Sequence, residues 1–370
     1  MKKIAVLFGG CSSEYEVSLE SAYAVISHMD REKYEPVLIG ITREGKWYLY
    51  QGEWEHIPED TWHRQKECKP AVVLPDKELH GIMVYGKDKS EYISLDGALP
   101  ILHGKNGEDG TVQGVLELAD IPLIGCNTMS SAVYMDKETA HRLAGACGVK
   151  VPKSLLITEE NWKEFQSRNV QQPTNQNTEP SRNVESWKTI ENEINALGYP
   201  LFVKPLRAGS SFGITKVQSA EQLPTALEHA FSYDKDVIIE EAIEGFEVGC
   251  AVLGTEKLTI GEVDEIELSD GFFDYTEKYT LKTTKIYVPA RISAGKAEEI
   301  KKTAEVIYRG LGCSCFARVD MFLTPDGEIY FNEVNTIPGF TSHSRYPSMM
   351  KAAGISFEEL LNRLIGQVVK

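Results

Sequence analysis

A predicted β-hairpin near the carboxyl end places the strongest constraint on how this chain can fold. Residues 318–322 and 330–335 each alternate apolar and polar side chains with a period of two, as half-buried strands do. The tetrapeptide between them, residues 324–327, reads Thr-Pro-Asp-Gly and favours a tight turn. The alternation predicts that three oxygen-bearing side chains project from one face of the two strands, namely Asp320, Glu333 and Asn335.

These three side chains offer only oxygen ligands to a metal ion. Mg²⁺ suits such ligands, because it usually takes one or two protein carboxylates together with substrate phosphates. The alternative is a hydrated acidic hairpin at the surface, since charged side chains mostly lie there. The other segments of the chain decide between the two.

Composition narrows the class of protein. A chain of 370 residues predicts two or three domains, and 42% hydrophobic with 25% charged residues predicts a packed globular protein. The net charge of −16 argues against a general nucleic-acid binder and against a protein that binds anionic membranes. An anionic substrate remains possible, because local lysines can oppose the global charge.

The cysteines and the apolar runs bear on location. Seven scattered cysteines with no Cys-x-x-Cys spacing predict reduced thiols in the cytoplasm rather than a disulfide framework or a zinc site. The short apolar run at residues 4–8 ends in Gly-Gly and predicts a first β-strand rather than a signal peptide. No stretch of about 18 apolar residues exists, so no membrane-spanning helix is expected.

The first part of the chain predicts an α/β fold with a doubly wound parallel sheet. An apolar strand at 4–8, a helical pattern at 16–29 and a strand at 37–41 form a β-α-β unit. Ligands of such sheets bind beyond the carboxyl ends of the strands. The glycines there do not spell Gly-x-Gly-x-x-Gly, so the dinucleotide fingerprint is missing.

The remaining pattern divides the chain into three predicted parts, with boundaries at 1–125, 126–243 and 244–370. Another apolar strand, residues 98–103, ends in the glycine-rich turn 103–110. Residues 166–185 hold almost nothing apolar and predict a mobile surface insertion. Order resumes with a strand at 199–205.

The segment after that strand predicts a phosphate-binding loop. Residues 204–214 read as a strand, a Gly/Ser-rich loop and a second strand, with Lys204 beside the loop as a point charge. The Walker A pattern does not occur. An ordinary hairpin explains the loop equally well. The acidic turn at 239–247 could read an adenine edge and ribose hydroxyls, although a solvated acidic turn is the simpler interpretation.

Five segments in order resemble the D-alanine–D-alanine ligase family of ATP-grasp enzymes. The resemblance covers nearly the whole chain except roughly 44–91 and 166–185. The segments are Gly9-Gly10 with Glu16-Val17-Ser18, Leu102-His103-Gly104 with Gly107-Glu108-Asp109-Gly110, Met135-Asp136-Lys137, Lys204-Pro205 with Gly209-Ser210-Ser211, and residues 333–344.

The resemblance implies ATP-dependent peptide-bond synthesis in an α/β chain, with an N-terminal doubly wound domain followed by a two-part α+β ATP-grasp. The carboxylate of a first D-alanine would attack the γ-phosphate of ATP to give an acyl phosphate. The amine of a second D-amino acid would then displace phosphate. Two anions must meet in this reaction, so cations are required. Two Mg²⁺ ions are implied, with Mn²⁺ as an alternative.

The resemblance also implies a role for each matching residue. Catalytic positions are Glu16, Ser210, Tyr279, Arg318 and the backbone N–H of Gly339. Substrate contacts would come from His103, Lys278, Ser344 and Arg345. ATP contacts would come from Lys137, Lys204, Ser211, Glu240, Ile243, Glu247 and Phe272. The metal ligands would be Asp320, Glu333 and Asn335. Residues 270–279 would form a loop over the site that keeps water from the acyl phosphate.

Two departures from the common family pattern are informative. Ala208 stands where many members have glutamate, so one carboxylate contact is missing. Arg345 stands where leucine usually follows the serine, and its guanidinium can donate a hydrogen bond to a seryl hydroxyl. An unpartnered guanidinium against a methyl group would be poorly satisfied. Here the chain resembles the vancomycin-resistance D-alanine–D-serine ligases, particularly the G type.

The sequence therefore predicts D-alanine–D-serine ligation for a modified peptidoglycan precursor. The alternative is a D-alanine–D-alanine ligase in which Arg345 swings into solvent. A non-catalytic nucleotide sensor is a rival of another class, but it would be expected to lose metal ligands or lysines. A different ATP-grasp ligase is disfavoured by the segments around Glu16 and His103, which would contact amino acid rather than ATP. The family is commonly dimeric, so a homodimer is expected.

Overall fold

Three β-sheets faced by helices make up the described part of the chain. The structure is a computed structural model that describes residues 1–169, 187–209, 211–267, 285–341 and 343–369. Within these residues, none of the helices has the length and apolarity needed to span a bilayer. All seven cysteines are free thiols.

The first sheet has seven strands in the order β6-β5-β4-β3-β2-β1-β7. Its core is parallel, because β1 pairs in parallel with both β2 and β7, and β3 to β6 extend the sheet as antiparallel strands. The strands are β1 (Lys2–Gly9), β2 (Tyr34–Ile41), β3 (Trp47–Tyr50), β4 (Cys68–Val73), β5 (Gly81–Tyr85), β6 (Ser90–Ser94) and β7 (Gly97–Pro100). The helices are α1 (Tyr15–His28) and α2 (Thr111–Leu118), with short 3₁₀ turns at Trp54–His56 and Trp62–Arg64.

Strand β1 is apolar throughout because both of its faces are covered. Ile4, Val6 and Phe8 pack in the same core as the buried face of α1. Ala5 and Leu7 pack in a second core together with α2. This burial confirms the α/β expectation for the amino-terminal part of the chain.

The carboxyl ends of β1 and β7 are tied together where the site forms. The backbone N–H of Gly9 donates to Oγ of Ser18 at 2.8 Å, and that hydroxyl also donates to the carbonyl of Ile101. Gly9 has φ +87°, and a Cβ there would lie 2.2 Å from the carbonyl oxygen of Ile41, so only glycine fits. The turn after β1 and the turn after β7 therefore open at the same edge.

Two helices follow and lead into the second sheet. Helices α3 (Thr128–Met135) and α4 (Lys137–Ala146) begin at Asn127 and Asp136, whose side chains accept from backbone N–H groups three residues on. The second sheet has the order β10-β9-β11-β8. Its elements are β8 (Ser154–Thr158), α5 (Glu159–Asn169), α6 (Trp187–Leu197), β9 (Leu201–Pro205), β10 (Thr215–Val217), a 3₁₀ turn at Ala220–Gln222, α7 (Leu223–Phe231) and β11 (Asp236–Glu241).

The third sheet is antiparallel in the order β14-β13-β12-β15-β16. Helices α3 and α4 share its apolar core with α8, so they pack on this sheet. Its elements are β12 (Phe246–Leu253), β13 (Thr259–Glu267), β14 (Lys285–Tyr287), α8 (Ala294–Gly310), β15 (Phe316–Leu323), β16 (Ile329–Asn335), α9 (Arg345–Ala352) and α10 (Phe357–Val368). The domain boundaries at 125 and 243 stay predictions.

Several predicted elements are confirmed and one is corrected. The hairpin exists as β15 and β16, and its turn closes with a hydrogen bond from the N–H of Gly327 to the carbonyl of Thr324 at 2.9 Å. The predicted start of the insertion at 166 is wrong, because α5 continues to Asn169. Trp162 and Phe165 stack within this region and hold that helix in the core of the second sheet. The lid prediction at 270–279 lies outside the described residues.

Gly40 on β2 allows a test of how tightly the first sheet is packed. A Cβ on this residue would lie 2.3 Å from two ring carbons of Trp62 and 2.9 Å from the ring of Phe8. Gly40→Ala should cost about 1–3 kcal/mol through overpacking, which lowers the thermal midpoint by about 3–8 °C. Differential scanning calorimetry measures this shift.

Gly295 in the first turn of α8 is the matched control. A Cβ there meets no atom within 4 Å, so Gly295→Ala should leave the midpoint unchanged or raise it slightly. Equal midpoints for the two variants would contradict the packing described for β2.

Candidate functional site

The Asp320 carboxylate is the centre of a buried polar cluster on the third sheet. Nε of Arg318 donates to its Oδ1 at 2.8 Å, and Nη2 of Arg318 donates to its Oδ2 at 2.6 Å. Nδ2 of Asn335 donates to the same Oδ2 at 2.9 Å. Asp320 is 1% exposed and Arg318 is 5% exposed, so the pair lies away from bulk water. The hairpin register thus gathers these groups as the alternation predicts.

Arg345 enters this cluster from the first turn of α9. Its Nε and Nη2 donate to the two oxygens of Asp264 at 2.7 and 2.9 Å. Its Nη1 donates to Oε1 of Glu247 at 2.6 Å, and its Nη2 lies 3.2 Å from Oδ1 of Asp320. The side chain is 6% exposed. Arg345 therefore does not swing into solvent, as the D-alanine–D-alanine alternative had assumed.

A glycine on β12 makes room for this guanidinium. A Cβ on Gly249 would lie 2.3 Å from Nη2 of Arg345 and 2.6 Å from Oδ1 of Asp264. The backbone N–H of Gly249 donates to that same Asp264 oxygen at 2.8 Å. The guanidinium can lie across the strand only because position 249 has no side chain.

Neighbouring carboxylates favour the charged form of both guanidinium groups. Burial alone would lower the pKa of Arg345, but Asp264, Asp320 and Glu247 together raise that pKa well above its ordinary value. Burial also acts to lower the pKa of Arg318, but the charge of Asp320 outweighs burial and raises that pKa. Among the described residues, the two guanidinium groups thus contact three carboxylates.

The donor set on the hairpin fits a magnesium ion. Glu333 lies opposite Asp320 and Asn335 lies opposite Arg318 in the register of β15 and β16. The described residues contain no group of three or more His, Cys, Asp or Glu side chains arranged for a metal. The donor set on the hairpin instead combines two carboxylates with one amide. The amide of Asn335 has an oxygen as well as the nitrogen that donates to Asp320. Hard oxygen ligands of this kind suit Mg²⁺.

A second buried ion pair lies on the sheet formed by β8 to β11. Nζ of Lys204 on β9 is 2.5 Å from Oε2 of Glu240 on β11. The two strands are antiparallel neighbours, and Glu240 is 2% exposed. Burial acts to raise the pKa of Glu240, but Lys204 and then His141 bring it below its ordinary value, so the carboxylate is ionised.

Lys137 connects this ion pair with the hairpin. Its Nζ donates to the carbonyl of Ala208 at 2.7 Å. Burial lowers its pKa, and the carboxylate of Glu333 acts against that shift, with Lys204 and Glu240 also in electrostatic range. Both predicted phosphate lysines and a predicted metal ligand therefore converge on one region.

The Gly/Ser-rich loop lies against the turn after β1. Ser211 has φ +59°, and a Cβ on Gly209 would lie 3.0 Å from Oε2 of Glu14. A cleft of about 370 Å³ separates the two loops and is lined by both of them, as well as by Arg43. Glu14 thus brings a carboxylate to the loop where Ala208 lacks one.

The loop between β16 and α9 is tied to the amino-terminal part of the chain. Nδ1 of His103 is 2.9 Å from the carbonyl oxygen of Ile337, and its Nε2 is 3.3 Å from Oγ of Ser21. A Cβ on Gly339 would lie 2.8 Å from Oγ of Ser344, and that hydroxyl accepts from the N–H of Thr341 at 2.9 Å. The predicted substrate residues His103 and Ser344 therefore flank one fixed loop.

Some predicted site residues lie elsewhere. Glu16 is 62% exposed and pairs with Arg43, whose hydrogen bond lowers the pKa of Glu16 although partial burial acts to raise it. Ile243 is half-buried in the turn after β11. Four predicted site residues lie outside the described part of the chain, namely Ser210, Phe272, Lys278 and Tyr279.

Three side chains that contact the candidate site were not predicted from the sequence. Asp264 pairs with Arg345 across 81 residues, and nothing in the sequence separates it from the other acidic residues of β13. His141 packs behind Glu240 from α4, where a helical pattern alone does not separate it from an ordinary core histidine. Glu14 precedes the predicted helix and has no distinguishing pattern.

The amino-terminal and carboxyl-terminal parts of the chain each match a known sequence family. Residues 3–126 match the family described as D-ala D-ala ligase N-terminus. Residues 146–366 match the family described as D-ala D-ala ligase C-terminus. Together the two matches account for most of the 370 residues.

Individual relatives match over their full length. The vancomycin/teicoplanin A-type resistance protein VanA of Enterococcus faecium is 43% identical over 376 residues, covering 100% of this chain and 98% of that protein. The vancomycin C-type resistance protein VanC1 of Enterococcus gallinarum is 44% identical over 366 residues, covering 99% and 98%. The crystal structure of VanG D-Ala:D-Ser ligase from Enterococcus faecalis is similar at a TM-score of 0.87 and 53% identity, covering 100% and 99%.

Removing Arg345 should cause a large loss of stability, and a second substitution should restore part of it. Arg345→Leu leaves Glu247, Asp264 and Asp320 without their shared cation, which should cost about 3–5 kcal/mol. Adding Asp264→Asn removes one of the stranded charges and should recover part of that loss. Thermal unfolding of the single and double variants measures both effects, and a double variant less stable than Arg345→Leu would contradict the charge pairing described.

Proposed function

Since the chain belongs to the D-alanine–D-alanine ligase family of ATP-dependent ligases, we propose that it joins D-alanine to D-serine through a D-alanyl phosphate. The product would enter a modified peptidoglycan precursor and give vancomycin resistance. The observation that carries the D-serine part is a buried guanidinium, that of Arg345, held by three carboxylates directly after Ser344. The 53% identity to a D-Ala:D-Ser ligase supports the same assignment.

ATP would bind between the second and third sheets. Lys137 and Lys204 would hold its phosphates, and both lysines lie in one electrostatic region with Glu333. Lys204 would leave Glu240 and bind a phosphate oxygen of ATP instead. The phosphate carries more negative charge than the carboxylate and so binds the ammonium more strongly. Ser211 with its left-handed backbone would present its N–H group to the phosphates. Glu247 would accept from the ribose while Arg345 fixes its carboxylate.

Asp320, Glu333 and Asn335 would hold two Mg²⁺ ions. When bound, magnesium neutralises the phosphate oxygens and lets a carboxylate approach them. Because Arg318 and Arg345 already orient the Asp320 carboxylate, that ligand is preorganised for its task.

The first D-alanine would lie between His103 and Arg318. The contact of Arg318 with Asp320 uses Nε and Nη2, so Nη1 remains to face the carboxylate and the later tetrahedral oxyanion. The N–H of Gly339 would donate to the same oxyanion. Glu16 would pair with the substrate ammonium after releasing Arg43, a solvent-exposed partner whose loss costs little.

The second amino acid would bind beside α9. A guanidinium has five N–H donors, and the carboxylate contacts of Arg345 within the described chain engage four of them. The remaining donor on Nη1 would bind a seryl hydroxyl. The methyl side chain of D-alanine cannot accept this hydrogen bond, so D-serine would be preferred.

D-Alanine as the second substrate is the alternative function, and one observation favours it. Carboxylates already accept from most of the N–H groups of Arg345. A methyl group beside the guanidinium would therefore leave few of its donors without an acceptor. The difference between the two acceptors then depends on a single hydrogen bond.

A competition experiment separates the two functions. With equal D-alanine and D-serine and saturating ATP, the wild-type chain should yield mainly D-Ala–D-Ser, at about tenfold or more over D-Ala–D-Ala. One hydrogen bond to a charged group corresponds to about that ratio. Mass spectrometry of the dipeptides measures it. Phosphate release with D-alanine alone gives the rate of the competing reaction.

The variant Arg345→Leu with Asp264→Asn serves as the specificity test, since it removes the guanidinium with less loss of stability than Arg345→Leu alone. The product ratio should shift toward D-Ala–D-Ala by about tenfold. Arg142→Leu on the exposed face of α4 is the control and should keep the wild-type ratio. An unchanged ratio in the Arg345 variant would show that this residue does not select the acceptor.

A further inference from the structure

The loop between β16 and α9 is held at two points by the amino-terminal part of the chain. At the first point, the carbonyl oxygen of Ile337 lies 2.9 Å from Nδ1 of His103. Three residues on, the backbone N–H of Phe340 donates to Oγ of Ser21 at 3.2 Å. Gly339 lies between these two anchored residues, so its backbone can shift little without breaking one of the contacts.

The backbone donors on either side of Gly339 are already occupied. The N–H of Ile337 donates to Oε1 of Glu108 at 3.2 Å, and the N–H of Thr341 donates to a serine hydroxyl of the same loop at 2.9 Å. Pro338 has no N–H to donate. The N–H of Gly339 donates to no acceptor among the described residues, so it is available to a bound ligand.

The hydroxyl of Ser21 can hold the loop in either charge state of its histidine neighbour. Ser21 lies on α1 and is 0% exposed, and its Oγ is 3.3 Å from Nε2 of His103. In a neutral ring Nε2 would accept from this hydroxyl, and in a charged ring Nε2 would donate to it. A hydroxyl oxygen has two lone pairs, so in both cases one of them remains for the N–H of Phe340.

The residue held by Ser21 is itself buried. Phe340 is 0% exposed, and its ring packs edge-on against Phe316 at a centroid distance of 5.6 Å. A buried backbone N–H that loses its acceptor is costly. Removing the Ser21 hydroxyl should therefore displace the peptide that joins Gly339 to Phe340 rather than leave the loop unchanged.

We propose that Ser21 is a positioning residue for catalysis, because it holds the peptide after Gly339 and so sets the direction of the Gly339 N–H toward the tetrahedral oxyanion. This role rests on the oxyanion contact that the proposed function gives to Gly339. Ser21 precedes Phe340 by 319 residues, so no local sequence pattern indicates the link. An oxyanion develops only in the transition state, so a misdirected donor should lower turnover more than it weakens substrate binding.

Two substitutions of Ser21 test this role by steady-state kinetics. Ser21→Ala should lower kcat for D-Ala–D-Ser formation about tenfold or more and change KM for ATP by less than about twofold, because a small displacement of a catalytic group is enough for such a loss. Ser21→Cys keeps a weak acceptor of similar size and should give an intermediate kcat. Each kcat is divided by the concentration of ADP-binding sites, so unfolded protein does not contribute.

A tetrahedral inhibitor separates positioning from structural damage. A dipeptide analogue with a phosphinate in place of its peptide bond resembles the oxyanion, whereas ADP resembles the ground state only. Ser21→Ala should weaken phosphinate binding by about the factor by which kcat falls and should leave ADP binding unchanged. Isothermal titration calorimetry measures both dissociation constants.

Ser131→Ala in α3 is the matched control. Ser131 is also 0% exposed, and its hydroxyl donates to the backbone carbonyl of Cys126 at 3.4 Å, away from the loop after β16. This variant loses one buried hydrogen bond, as Ser21→Ala does, but should keep the wild-type kcat and both affinities.

The results distinguish a failure of this role from a failure of the proposed function. If Ser21→Ala weakens ADP as strongly as the phosphinate, Ser21 supports the whole site rather than the Gly339 donor. Wild-type kcat and phosphinate affinity in Ser21→Ala would also overturn the role. If the wild-type chain forms no dipeptide from ATP and D-amino acids, the proposed function itself fails.

Discussion

The carboxylate of Asp320, held between two guanidinium groups, is the interaction on which the rest of the site depends. Arg318 comes from the same strand, and Arg345 comes from a helix 25 residues further along the chain. Burial makes these charges expensive to separate, so each must be matched by a neighbour. These contacts also require glycine at position 249, because a side chain there would displace the guanidinium of Arg345.

The same principle of matched charge organises the nucleotide end of the site. Lys204 contacts Glu240, and Lys137 contacts the carbonyl of Ala208, and in the proposed function a phosphate would compete for both lysines. These are exchangeable partners, unlike the bidentate contacts of Arg345. In the proposed function, the arginines around Asp320 would orient the metal ligands and the lysines around Glu240 would receive the polyphosphate. His103 links this arrangement to the amino-terminal sheet through the carbonyl of Ile337.

Local periodicity was enough to predict much of the fold and part of the site. The apolar run of β1, the alternation of the hairpin and the loop after Lys204 each depend on neighbours a few residues away, so a window of sequence reveals them. The pairing of Arg345 with Asp264 spans 81 residues and follows from the register of three strands, which no local pattern specifies. The predicted insertion began too early at 166, because Trp162 and Phe165 hold a polar helix in a tertiary core.

Transfer of oxygen from substrate to phosphate tests most directly whether these charges bring a carboxylate to ATP. D-Alanine labelled with ¹⁸O in its carboxyl group would be ligated to D-serine, and the released phosphate analysed by mass spectrometry. Attack by the carboxylate on the γ-phosphate predicts one ¹⁸O atom in each phosphate, because the bond to that oxygen breaks on the carbonyl side. Phosphate free of label, formed together with the dipeptide, would contradict an acyl phosphate and with it the role given to the Asp320 cluster.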